Sequence, residues 1–140
     1  MIIERSYDYP LIKQIMTEPQ IWQEICGNYG DWIEEFEPVV DDYVYLIGYD
    51  KLNIVGLFII HASKYGYQCH IQVIPERRKQ YAAEFGQESI RWVWNNSDIS
   101  KLVALISSNL INVISFAEFL GFEIIGSIKD EQFMIIERKV

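Results

Sequence analysis

The sequence predicts a mixed α/β domain built on one central, twisted, mixed sheet with helices on its faces. Two observations lead there. Runs rich in β-branched and aromatic residues alternate with runs of helical period in the order β-αα-βββ-α-β-α-ββ, and consecutive strand runs place neighbours in a single sheet. The 140 residues are 50% apolar and 23% charged, with seven Phe, nine Tyr and four Trp, which is material for one core over residues 1–140 and too little for two.

Each element has a local reason. Met1 to Ser6 is a short apolar-rich strand. Tyr9 to Met16 and Pro19 to Cys26 read as two short helices, the second with Pro in its first turn, where a missing N–H costs little. Gly27, Gly30 and the acidic residues after them read as a loop. Tyr43 to Tyr49 is β-branched and aromatic, hence a strand, and Asp50 to Asn53 turns it. Ile54 to Ala62 and Tyr67 to Ile74 follow as two more strands, and Pro75 ends the second of them. Arg78 to Asn95 has helical period, with Tyr81, Phe85, Ser89 and Trp92 along one side. Lys101 to Ile106 is a strand and Leu110 to Leu120 a helix stopped by Gly121. Phe122 to Lys129 and Phe133 to Arg138 close the chain as a hairpin turning at Asp130, Glu131 and Gln132.

Charge narrows the function classes. The net charge of −8 opposes phosphate backbones, so nucleic acid is excluded as a partner. Two cysteines, Cys26 and Cys69, build neither a disulfide framework nor a zinc cage, and buried structural thiols are the commoner reading of both. No apolar run nears the roughly 20 residues that cross a bilayer, and Met1-Ile2-Ile3-Glu4-Arg5 does not resemble a signal peptide. The expectation is a soluble cytoplasmic protein with no membrane partner.

That charge is segregated. From Gln14 to Asp50 there is no Lys or Arg and there are nine acids, six of them between Asp31 and Asp42. Taken alone, this stretch reads first as a solvated loop; the functional alternative is a negative wall facing a cationic partner. The opposite sign is concentrated once, in Arg77-Arg78-Lys79 after Pro75-Glu76. Three bases at a helix start either cover a surface or form an anion site with the N–H groups of the first turn.

The element order, over the whole chain, resembles the GCN5-related N-acetyltransferase (GNAT) superfamily. Two local patterns carry the resemblance. Val73-Ile74-Pro75-Glu76-Arg77-Arg78-Lys79-Gln80-Tyr81-Ala82-Ala83 is similar to the segment bearing the acetyl-CoA signature Gln/Arg-x-x-Gly-x-Gly/Ala, with Arg78 in the first place and Ala83 in the last. Phe116-Ala117-Glu118-Phe119-Leu120-Gly121-Phe122 is similar to the following helix, whose Gly-Phe pair leads into the next strand. His70 five residues before Pro75, with Phe-Ala ahead of Gly-Phe, resembles a group encoded by tailed bacteriophages.

The resemblance implies acetyl-CoA as co-substrate and no metal. Backbone near Val73 would hold the pantetheine arm, and Arg78, Lys79, Gln80, Tyr81, Ala82 and Ala83 the pyrophosphate. The chain departs from the signature at its middle glycine, replaced by Tyr81, whose side chain either crowds the phosphates, binds them or packs away.

For direct transfer His70 is the candidate base. Strand alternation puts Gln68, His70 and Gln72 on one face, and an imidazole titrates near neutral pH. A structural histidine bonded within the sheet is the equal alternative, and His61 is the second choice of base. The acid that many family members supply as Tyr falls at Ala117, which leaves Ser115, Tyr81 or water. The resemblance puts the acceptor between the early helices and the final hairpin, so Asp31, Glu34, Glu35 and Glu37 would favour a cationic amine, small molecule or protein. A homodimer is a further expectation. Two rivals keep the fold without the chemistry: a degenerate binding or virion-associated phage protein, and an acyl-CoA sensor.

Overall fold

The computed structural model describes residues 1–26 and 42–139. Its elements are β1 (Ile2–Ser6), α1 (Tyr9–Met16), α2 (Pro19–Cys26), β2 (Tyr43–Asp50), β3 (Asn53–Ser63), β4 (Gly66–Val73), α3 (Arg78–Asn96), β5 (Lys101–Ser107), α4 (Ile111–Leu120), β6 (Glu123–Ile128) and β7 (Glu131–Glu137). A single 3-10 turn, Pro75–Arg77, joins β4 to α3. The seven strands form one sheet in the order β1-β2-β3-β4-β5-β7-β6. Neighbours run antiparallel except β4 and β5, which are parallel. The expected mixed sheet and element order are both present.

Alternation along the strands divides the core in two. On one face Tyr45, Ile47, Leu57 and Ile59 pack with Ile12, Ile15 and Met16 of α1 and Ile21 of α2. On the other, Leu46, Phe58, Ile60, Cys69, Leu102, Ala104 and Met134 pack with Phe85, Ile90 and Val93 of α3 and Ala117 of α4. Helix α1 starts where the Asp8 carboxylate accepts the Leu11 N–H at 3.1 Å. Helix α2 starts where Glu18 accepts the Ile21 N–H at 3.1 Å. Helix α4 ends at Gly121, whose φ of 112° lets the Phe122 N–H return to the Ala117 carbonyl at 3.0 Å.

Two sequence expectations need correction, and one junction is added. The buried stripe of α3 is Phe85, Gly86, Ser89, Ile90 and Val93, with Tyr81 and Trp92 at its partly buried margins. Gly86, with no Cβ, leaves room for Leu120 of α4 to approach α3. The last hairpin turns at Lys129 and Asp130, with Lys129 at φ 54°, so Glu131 and Gln132 belong to β7. The bend after Pro75 is a 3-10 turn, made when the Arg77 N–H reaches the Ile74 carbonyl at 2.8 Å.

Candidate active site

The sheet ladder is interrupted at its parallel pair. Strands β4 and β5 share one pairing position, Gln68 with Val103. Past it, Cys69 to Val73 remain paired to β3 while Ala104 to Ser107 pair to β7. The C-terminal halves of two adjacent parallel strands therefore bond to their outer neighbours and not to each other. Since the Ile74 N–H turns back to the Val55 carbonyl at 2.8 Å, alternation turns the backbone groups of Val73 toward the β5 side.

The start of α3 lies beside this break. Arg78 is tied to β4 through Nε, which donates to the Val73 carbonyl at 3.0 Å. Lys79, Gln80 and Ala83 are exposed, and Ala82 packs on the core. The N-cap residue of α3, Arg77, makes no side-chain capping bond among the described residues. The Tyr81 hydroxyl donates to the Asp50 carboxylate at the end of β2. The hydrogen bond to Asp50, above all, raises the Tyr81 pKa, so this phenol holds its proton and is a poor acid toward a leaving thiolate. Phe85, one turn further along α3, is fully buried over Gly48 and Gly56, which face each other across β2 and β3. These glycines leave room for the ring, and the ring pins the helix start above the sheet.

On the face of α1 and α2, the sheet carries a row of rings beyond the covered core. Tyr43, paired in register with His61, stacks on it with centroids 4.7 Å apart and planes 11° apart. The His61 and His70 rings lie 5° from parallel, and their Nε2 atoms are 3.0 Å apart. His61 Nδ1 lies 3.1 Å from the Ala62 carbonyl oxygen. His70 shares its face with Gln68 and Gln72, as alternation requires.

Desolvation of the ring, and then the charge of His61, push the His70 pKa down to about 4. The residue is nevertheless exposed by surface area. The lowered pKa leaves the ring neutral at physiological pH, with a lone pair to offer but less basic than a free imidazole.

The remaining candidates separate clearly. Cys69 is buried in the core and burial pushes its thiol up to about 12, which leaves no thiolate for attack. Ala117, where many family members carry Tyr, is a buried core residue packed among α3 and the sheet. Ser115 is exposed. Asp31, Glu34, Glu35 and Glu37 lie outside the described residues, as does the loop reading around Gly27 and Gly30. Trp92 and Trp94 pack against the core. Among the described residues no three His, Cys, Asp or Glu side chains group to hold a metal ion, and no helix is long and apolar enough to cross a membrane.

Sequence reasoning missed the two contacts that organise the site. The bond between Tyr81 and Asp50 joins positions 31 apart and has no local signal. The pairing of His61 with His70 was accessible: the register of a hairpin turning between Ser63 and Gly66 sets these residues diagonally on one face.

Comparison with solved structures gives this geometry a context. The aminoglycoside acetyltransferase AAC(6')-Ib in complex with coenzyme A and kanamycin superposes with a TM-score of 0.72 at 12% identity, over 97% of this chain and 94% of that one. The PaiA N-acetyltransferase of Thermoplasma acidophilum in complex with coenzyme A gives 0.73 at 13% identity, over 98% and 99%. The spermidine N-acetyltransferase of Vibrio cholerae in complex with CoA and spermine gives 0.66 at 15% identity, over 98% and 95%. The fold is that of the GCN5-related N-acetyltransferases. No family model matches the sequence, and no curated protein matches it. In this GNAT fold the broken ladder opens toward the Val73 end of β4, where α3 starts, while His61 lies toward the Ser63–Gly66 hairpin at the other end and His70 stands between the two.

Proposed function

We propose that this chain is a cytoplasmic, acetyl-CoA-dependent N-acetyltransferase that acts on a cationic amine by direct transfer. The observation that carries the reading is the broken β4–β5 ladder beside the uncapped, base-rich start of α3. The strand edge at Val73, unpaired to β5 and with its carbonyl taken by Arg78, suits an amide-bearing pantetheine arm. The N–H groups near Arg78, Lys79, Gln80, Tyr81, Ala82 and Ala83, with the Arg77 and Lys79 charges, suit a pyrophosphate. The bond to Asp50 directs the Tyr81 hydroxyl to the end of β2, which answers the departure from the glycine of the signature. Coenzyme A complexes of the three structural neighbours support the same co-substrate.

The co-substrate supplies an acetyl group activated as a thioester. In this reading His70 takes a proton from the acceptor as it attacks, so that the amine nitrogen can bond to the acetyl carbon as the carbon–sulfur bond breaks. With Tyr81 held by Asp50 and Ala117 in the core, the departing thiolate takes its proton from water. His70 stands three residues before Val73, roughly 10 Å along the strand at about 3.3 Å per residue, a span that a pantetheine arm covers. The acidic run with Asp31, Glu34, Glu35 and Glu37 supports a cationic acceptor, as do spermine and kanamycin in the neighbours' complexes.

Calorimetric titration with acetyl-CoA, followed by release of free thiol with spermidine, kanamycin and a neutral amine, tests the reading. Micromolar binding, about 8 kcal/mol, and thiol release with the cationic amines are expected. No binding at millimolar co-substrate would overturn it. A second reading, acyl-CoA binding without turnover, is favoured by Ala117 where the acid is usual; binding without thiol release would select it.

A further inference from the structure

The two imidazoles at the end of β3 and in β4 form a chain whose protons can be assigned. A backbone carbonyl only accepts, so the 3.1 Å contact between His61 Nδ1 and the Ala62 oxygen requires the proton on Nδ1. A neutral His61 then has a bare Nε2. The 3.0 Å contact between the two Nε2 atoms needs one donor and one acceptor, so His70 must supply the N–H. A neutral His70 with its proton on Nε2 has a lone pair on Nδ1. Among the described residues nothing hydrogen-bonds that nitrogen.

We infer that His61 is a positioning residue that locks His70 in its Nε2–H tautomer, leaving Nδ1 of His70 as the atom that takes the acceptor's proton. The inference rests on the acetyltransferase reading for the last step and on the ring geometry for the rest. The device is built as well as bonded. Tyr43 stacks on the far side of His61 at 4.7 Å, so the His61 ring is held between Tyr43 and His70. When Nδ1 of His70 gains the proton, the Nε2–H···Nε2 bond becomes charge-assisted and tightens without any rearrangement. His61 keeps its Nδ1 proton on the Ala62 carbonyl throughout. An orienting partner behind a proton-transfer imidazole is a general arrangement, because it sets both the tautomer and the ring angle.

Long-range nitrogen-15 correlation spectra of the whole protein at neutral pH read both tautomers directly, independent of catalysis. The expected spectrum has His61 protonated on Nδ1, the form a free side chain disfavours, and His70 protonated on Nε2. A His61 protonated on Nε2, or a His70 exchanging between tautomers, would overturn the inference. Two variants carry it to function. His61→Phe keeps a ring against Tyr43 but offers no acceptor, and kcat should fall roughly tenfold to a hundredfold with the KM for acetyl-CoA little changed. His61→Gln restores an accepting oxygen and should recover part of that loss. Turnover by His61→Phe equal to the wild type would sink the positioning role. The expected spectrum together with no turnover on any amine would refute the enzymatic reading, and the base role of Nδ1 with it, while the tautomer lock stood.

Discussion

The glycine pair under Phe85 allows a quantitative test of how α3 is seated. A Cβ added at Gly48 would lie 2.5 Å from both Cδ1 and Cε1 of the Phe85 ring. Carbon atoms prefer about 3.5–4.0 Å, so the ring would have to retreat by about 1 Å in a fully buried site. Overpacking of this kind costs about 1–3 kcal/mol. At a scale of roughly 3–4 °C per kcal/mol for a chain of this size, Gly48→Ala should melt about 3–12 °C below the wild type. A Cβ at Gly56 meets Phe85 carbon at 2.9 Å and also the Gln72 backbone oxygen at 2.6 Å. That oxygen belongs to β4, two residues from His70, and cannot step aside without moving the strand. The two substitutions therefore part company in a Phe85→Leu background. The smaller side chain should relieve most of the penalty of Gly48→Ala and little of that of Gly56→Ala. Double-mutant cycles from thermal and urea unfolding give the coupling directly. A Gly48→Ala protein as stable as the wild type, or equal rescue of both glycine variants, would refute the idea that Phe85 seats on this cradle.

Other expectations are shorter. His70→Ala should lower turnover by roughly 10²–10⁴ while acetyl-CoA affinity stays close to wild type; equal rates would remove His70 as the base. Because His70 titrates near 4 when folded and at its ordinary 6.5 when unfolded, the unfolded chain takes up the proton first as pH falls. Stability should decline between about pH 6.5 and 4, and melting curves of His70→Gln should decline less over that window. Cys69, buried with its thiol pushed up to about 12, should resist a thiol reagent at pH 8 in a Cys26→Ser background until the protein unfolds. Ser89 is fully buried with no partner for its hydroxyl among the described residues, so Ser89→Ala should be neutral or stabilising in urea melts.

The fold was legible because its signals are local. β-branched and aromatic runs such as Tyr43–Tyr49, Pro in the first turn of α2 and Gly121 after α4 each act within a few residues. Both early helices match their expected bounds, Tyr9–Met16 and Pro19–Cys26. The turns were less legible. Lys51 and Lys129 adopt positive φ, which their residue type does not announce. The glycine cradle was hidden for a different reason: a glycine inside a strand carries no side chain to signal a use, and only the register of Gly48 with Gly56 and a ring from α3 show it.

The site was legible in parts, and β4 shows why. A period of two divides Gln68, His70 and Gln72 from Cys69, Ile71 and Val73 with no knowledge of the rest of the chain. That division assigns Cys69 to the core and His70 to the open face, and burial and titration then separate a thiol at about 12 from an imidazole at about 4. What completes each role comes from another strand or helix. Val73 is held by Arg78 from α3, His70 by His61 from β3, and Tyr81 by Asp50 from β2. Residue type and periodicity thus select the groups capable of chemistry. In the proposed reading the sheet register, by setting His61 against His70, decides which nitrogen of His70 is free to perform it.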